Sequence, residues 1–422
     1  MCYTKPNNAR EVSEMQIEIA GRVPQYVKTV IGALERAGHR GYLVGGSLRD
    51  LLLAKKPHDF DLTTDATPEE MLEIFADFRV IPTGLKHGTV TVLSEGNPIE
   101  VTTHRVDGDY LDSRRPESVS FTRRLADDLS RRDFTVNAMA WSEREGLVDL
   151  FGGREDLEKG IIRAVGDPVA RFTEDALRIL RAFRFSAQLD FEIEPRTLSG
   201  AAATADGLSH ISAERIFSEL TRLLVSPAAK RGLCAMREAA CLRYAFGEIG
   251  IDPLRFEKLE QLPAEAELRL AYLLYGCAPE EAAALCRRLK SSNAFTDSVK
   301  GVLVAAAEPL PTDLFEARRY VCHHYHTFEG GLLLRAAFGE DVEEVRKICK
   351  TVSKNGTAVE IKRLAVNGKE LQELLGVRPA KTGILLARLQ ELCWQEPKRN
   401  KKNTLIELAT GIIGREKEFL HG

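Results

Sequence analysis

The chain has 422 residues, 62 acidic against 59 basic for a formal net charge of −3, with 44% hydrophobic and 29% charged residues. That length allows roughly three domains, and no apolar run approaches the ~18 residues needed to cross a bilayer. A small negative charge excludes a uniformly basic nucleic-acid binder, so any RNA contact must be local. The opening stretch "MCYTKPNNAREVSEMQ" has no apolar core of the signal-peptide kind, which argues for the cytoplasm. No role can be read for residues 1–20. Eight scattered cysteines, without a CxxC pair, argue against a disulfide framework or a cysteine metal site and read as buried thiols.

In chain order, "GYLVGG" predicts a strand that turns into a helix at Gly45 and Gly46, with Arg49 one turn in. Glycines there let backbone N–H groups approach a triphosphate at a helix N-terminus. "DFDLTT" predicts a second strand, on which Asp59 and Asp61, two residues apart, share one face. Two carboxylates so close repel unless a cation sits between them, and Mg2+ suits such a hard oxygen pair. A lone DxD is more often a polar edge strand, but glycine turn, arginine and DxD within ~20 residues is a far stronger combination. A helix is expected over 67–78 and strands at "GTVTVL" and "PIEVTT", where Glu100 is the candidate third acidic ligand.

"RVDGDYLDSRRP", 105–116, is rich in glycine, aspartate and arginine without apolar periodicity, and reads as a mobile loop carrying Asp107, Asp109, Asp112, Arg114 and Arg115. Basic clusters follow at "SRRPESVSFTRRLADDLSRRDF" and, near the end, "EPKRNKKN"; either could touch RNA or be a solvated face. From about Asp167 the pattern is helical. In "EDALRILRAFRF", Asp175, Arg178, Arg181 and Arg184 recur every three residues, a row that winds ~180° around a helix rather than holding one face. Ion pairing of Arg178 with Glu174 or Asp175 is the plain explanation, yet three arginines in otherwise apolar sequence favour a functional role. His323, His324 and His326 in "VCHHYHTFEG" have no carboxylate at helical ligand spacing, which favours packing or RNA contact over zinc.

"GGSLRD", "DFDLTT", "LADDLSRRDFTVNAMAW", "DLFGGREDLEKGIIRAVGDP", "RFTEDALRILRAFRF" and "ISAERIFSEL" follow one another in an order that resembles the polymerase-β-type nucleotidyltransferases. The resemblance is to the class II branch of CCA-adding tRNA nucleotidyltransferases and bacterial poly(A) polymerases. It covers 42–224, and "LAVNGKELQELLG" resembles the tail of the Bacillus-type CCA-adding enzymes, which lack an HD domain. It implies an α/β polymerase-β-like nucleotidyltransferase head (22–163) followed by an all-α neck (164–229), body (230–305) and tail (306–422). It further implies that Asp59 and Asp61 hold two Mg2+ ions and that Asp175 and Arg178 read the incoming base. Arg132, Arg181 and Arg184 would contact the nucleotide and its phosphates, beside Gly45, Gly46 and Arg49. The expected reaction is template-independent CCA addition to the tRNA 3′ end from CTP and ATP, with tRNA as partner and no membrane or protein partner in view. The rivals are an A-adding-only enzyme or poly(A) polymerase, a non-catalytic RNA-binding protein, and a metal phosphohydrolase prompted by His58-Asp59 and the histidine cluster.

Overall fold

A computed structural model describes residues 19–107 and 119–415, which form two compact units, one running to Phe256 and one from Glu257. The division falls inside the stretch expected as the body.

The first unit is built on a seven-stranded mixed sheet in which the strands beginning at 79, 89, 97, 61, 41, 139 and 146 lie side by side in that order. Helix α1 (Gln25–Arg36) precedes β1 (Gly41–Val44), and α2 (Gly45–Leu52) starts directly from the end of that strand. β2 (Asp61–Thr64) leads to α3 (Pro68–Ile74), which is shorter than the 67–78 expected because Thr67 caps it in a reciprocal box with Glu70 and it ends at Phe75. β3 (Arg79–Gly84), β4 (Thr89–Ser94) and β5 (Asn97–Thr103) form a meander whose last strand pairs parallel with β2. β6 (Arg105–Asp107) and β7 (Val119–Phe121) make a separate antiparallel ribbon. The start of the expected loop, 105–107, is therefore a strand, because it finds a partner in a segment twelve residues later; Asp109, Asp112, Arg114 and Arg115 lie outside the described residues. Helix α4 (Leu125–Ser130), β8 (Met139–Ser142) and β9 (Gly146–Asp149) complete the sheet region.

β1 is buried on both faces, which is why it reads as an unbroken apolar run. Leu43 packs with Val27, Val30, Ile31 and Leu34 of α1 and with Leu62, Val92 and Val101, while Tyr42 and Val44 pack against Leu129 and Ala140 on the opposite side. The elements beyond are α5 (Gly153–Lys159), α6 (Pro168–Glu174), α7 (Leu177–Leu189), α8 (Pro195–Ala203) and α9 (Ala213–Leu224).

The second unit is helical, with one core around Tyr320, Leu332, Cys349 and Val352 and another around Leu371, Leu385, Leu389, Cys393 and Leu405. Of its histidine cluster only His324 is buried, hydrogen-bonded to Glu308, while His323, edge-on to the Trp394 ring, and His326, edge-on to that of Tyr325, are exposed. Helical spacing from the histidines could not have found Glu308, which reaches His324 from another helix end. In the basic stretch near the C-terminus Arg399 pairs with Glu396 and Lys402 with Glu370, leaving Lys398 and Lys401 exposed. The seven described cysteines are all free; Cys241, Cys286, Cys349 and Cys393 are buried as expected, but Cys234, Cys277 and Cys322 are only half-buried. No described helix is long and apolar enough to cross a membrane.

Candidate active site

The chain leaves β1 for α2 through Gly45, whose φ of +70° is a left-handed conformation that a side chain would strain. A Cβ at this position would stand 3.3 Å from the Arg132 guanidinium and 3.9 Å from the Asp61 carboxylate, so the turn, the arginine and the acid converge on one point. A cleft of about 430 Å3 opens there, within the range of small-ligand sites. Gly45, Gly46, Arg49, Asp61 and Arg132 line one part of it. Asp175, Arg178, Arg181 and Arg184 line another. Seven arginines face the cleft against three aspartates, a strong positive excess in a chain of net negative charge.

Two expectations about backbone are corrected. Only Asp61 lies on β2; Asp59 sits on the bend before it, exposed, because β2 pairs with β1 from Val44↔Asp61 onward and β1 has already become a helix beyond Val44. The row from Asp175 to Arg184 is not one helix either. The chain breaks between α6 and α7, where Asp175 is extended (φ −140°, ψ 102°) and its Oδ1 accepts the Leu177 N–H at 3.0 Å. An aspartate that bonds the N–H two residues on in this way competes with helical continuation. Asp175 therefore stands at the entrance of α7, and its Oδ2 accepts a hydrogen bond from Arg215 of α9 at 3.1 Å.

Glu100 lies directly across from Asp61 in the parallel β2·β5 pair, hence on the same face, and is exposed. Neither Asp59 nor Glu100 lines the cleft itself. Burial lifts the Asp61 carboxyl to about 6, and the charges of Asp59 and Glu100 push the same way against the Arg132 guanidinium. Among the described residues no three or more His, Cys, Asp or Glu side chains gather into a metal cage. An acid raised by two neighbouring acids beside an open, arginine-lined cleft suits a divalent cation that takes its remaining ligands from a substrate's phosphates.

The arginines differ in how they are held. Arg132 bonds through Nη2 to Asp128, while its buried Nε has no hydrogen-bond partner. Asp128 is fully buried, and Arg132 and Arg131 together outweigh that burial to hold its carboxyl far below the usual range. Arg49 is buried, tied to Asp50 and to Asn137 Oδ1 at 2.8 Å. Arg178 bonds Glu174 and the carbonyls of Arg171 and Arg131, so the expected i,i+4 pair is present alongside two backbone anchors. Arg181 is gripped by Asp133 at 2.6–2.8 Å. Arg49, Arg181 and Arg184 surround the Phe185 ring at 5.3, 5.2 and 4.0 Å.

Arg184 is buried as well, paired with Glu219 of α9, with both side chains 7% exposed. Burial lowers its pKa from the ordinary arginine value. Removing it strands a buried carboxylate, so Arg184→Ala should destabilise the first unit by about 3–5 kcal/mol in equilibrium denaturation. A loss below ~1 kcal/mol would mean the pair contributes little.

Arg131, Asp133, Asn137, Phe185, Gln188 and Arg215 also line the cleft and were not singled out from sequence. Asp133 sits beside Arg132 in "RRDF" and could have been suspected as a partner for a helix arginine. Nothing local marks Arg215, whose role depends on a contact 40 residues away.

Residues 41–163 match the Poly A polymerase head domain family, and residues 190–250 match the family described as the probable RNA and SrmB-binding site of polymerase A. The CCA-adding enzyme of Geobacillus thermodenitrificans is 39% identical over 359 residues, spanning 83% of this chain and 87% of the relative. This chain belongs to the CCA-adding enzyme family. That of Streptococcus suis is 34% identical over 401 residues, 92% of this chain and 96% of the relative. In three dimensions the chain resembles the Bacillus stearothermophilus CCA-adding enzyme solved with CTP, with a TM-score of 0.81 and 30% identity over 94% of this chain and all of that one. The family's fold is thus the polymerase-β-like head with a helical remainder expected from the motifs.

Proposed function

We propose that this protein adds C, C and A to the 3′ end of tRNA from CTP and ATP, with the head doing the chemistry, the neck reading the base and the body and tail holding tRNA, in the cytoplasm. The observation that carries the reading is one cleft that joins the acid at Asp61 to the Asp175–Arg178 pair across Arg132, in a member of the CCA-adding family.

In this reading Asp59 and Asp61 hold Mg2+, with Glu100 in support. Bound there, Mg2+ would activate the terminal hydroxyl and neutralise charge on the leaving pyrophosphate. The backbone N–H groups at Gly45 and Gly46 and the Arg132 guanidinium, whose Nη1 stands beside Gly45, would meet the triphosphate. Arg181 and Arg184 add positive charge behind it, stiffened by Asp133 and Glu219. Asp175 and Arg178 meet the Watson–Crick edge. Cytosine and adenine each place an amino donor beside a ring-nitrogen acceptor, which a carboxylate and a guanidinium satisfy together. Uracil and guanine put a carbonyl where the amino group should be and leave the carboxylate unpaired. Both side chains have capacity to spare: a carboxylate offers ~four acceptor sites and a guanidinium five donors, beyond the bonds they make within the protein.

Supplying tRNA that lacks its last three nucleotides with CTP alone tests the reading. Growth by two residues is expected, and no growth would reduce the protein to an A-adding enzyme. Deleting 107–114 should spare the two C additions and suppress the final A; equal loss of both would make the segment generally structural.

The raised Asp61 carboxyl gives a pH dependence. Its folded-state value, about 6, lies above the ordinary 3.8, so its proton stabilises the fold fully below pH ~4, and that contribution is lost as pH rises through 6. Mg2+ competes for the same oxygens, so its affinity should be about tenfold weaker at pH 5 than at pH 7. Calorimetric titration of Mg2+ into the protein reads this directly, and a pH-independent affinity would remove Asp61 from the ion.

A further inference from the structure

Asp175 is the one acid of the proposed base-reading pair, yet it sits outside any helix, where only two bonds orient its carboxylate. Oδ1 takes the Leu177 N–H and Oδ2 takes Nη2 of Arg215. The first bond alone leaves rotation about the terminal torsion, which is broad for an aspartate. Arg215 removes that freedom by donating to the second carboxylate oxygen at 3.1 Å. It can do so because α9 is itself fixed: Ile216, Leu220 and Leu223 are buried, and Glu219, one turn on from Arg215, pairs with Arg184. α9 thus holds the neck at two polar points, and one of them is the base-reading acid.

We propose that Arg215 is a specificity-determining positioning residue, which aims the Asp175 carboxylate so that the incoming base meets a fixed acceptor. The inference rests on the reading of Asp175 as the base-contacting acid.

The test compares incorporation of CTP, ATP, UTP and GTP by Arg215→Gln, Arg215→Lys, Asp175→Asn and the double variant Arg215→Gln with Asp175→Asn, on one tRNA acceptor. Arg215→Gln should raise UTP or GTP use relative to the correct nucleotide by roughly tenfold, the scale of one charge-assisted hydrogen bond. Arg215→Lys, which keeps the charge without the planar fork, should recover most of the discrimination. If Arg215 acts through Asp175, the double variant should discriminate no worse than Asp175→Asn alone. Additive losses would mean Arg215 contacts the nucleotide itself and would overturn the proposal. So would equal slowing of all four nucleotides by Arg215→Gln, the result of a mere helix brace or a damaged fold. Intact discrimination in Asp175→Asn would sink the reading of Asp175 and this inference with it. Relaxed discrimination in Asp175→Asn with none in Arg215→Gln would sink the inference alone.

Discussion

Asp61→Ala is expected to abolish nucleotide transfer while leaving tRNA binding and the fold largely intact. The Asp61 carboxyl is raised by burial and by Asp59 and Glu100, so its removal relieves a like-charge cluster and should not cost stability. What would be lost, in the proposed reading, is a ligand for Mg2+. If that ion contributes at least ~4 kcal/mol to the transition state, the rate falls by about a thousandfold or more. Asp59→Ala should have a similar effect on turnover, although Asp59 is exposed on the bend before β2 and outside the cleft lining. Single-turnover rates measured alongside tRNA affinity separate chemistry from binding. Near-normal turnover in Asp61→Ala would remove the metal hypothesis, and near-normal turnover in Asp59→Ala alone would leave Asp61 with Glu100 as the pair.

Asp175→Ala should change which base is accepted more than how fast any base is added. Removing the acceptor abolishes the penalty against uracil and guanine, and discrimination should relax by ~1–3 kcal/mol, the range for a lost bidentate base contact. A stability cost of about 1 kcal/mol should accompany it, because Asp175 also accepts the Leu177 N–H two residues on. Arg184→Ala should differ in kind, weakening all four triphosphates alike, since positive charge behind the phosphates carries no base information. Relative incorporation of the four nucleotides distinguishes them. Equal slowing of all four by Asp175→Ala would leave that residue as a turn former and a partner for Arg215.

The parts of this molecule that follow from local chemistry could be read in advance. The apolar run of β1, the glycine turn into α2 and the Leu62–Thr64 strand are written as consecutive residues, and β1 emerged buried on both faces. The fold class followed from motif order. Failures occurred where a distant partner decides. Asp59 misses β2 because β1 ends at Val44, and no pattern within "HDFDL" reports that length. The helical row through Asp175 breaks because one carboxylate oxygen finds the Leu177 N–H, a bond invisible to periodicity. Arg105–Asp107 became a strand only because Val119–Phe121 returns beside it. Arg215 could not be linked to Asp175 from sequence, since α9 must first pack on α7. The arginines that periodicity did flag have their charge held by acids from other elements, Asp133 for Arg181 and Glu219 for Arg184.

The most direct test of the whole account is the end point of the reaction on tRNA lacking its last three nucleotides, supplied with CTP and ATP together and sequenced at the 3′ end. The account predicts growth by C, C and A and then a stop, because one cleft reads both bases and the protein alone sets the order. A product that gains only A, or an A tail that keeps lengthening, would contradict it.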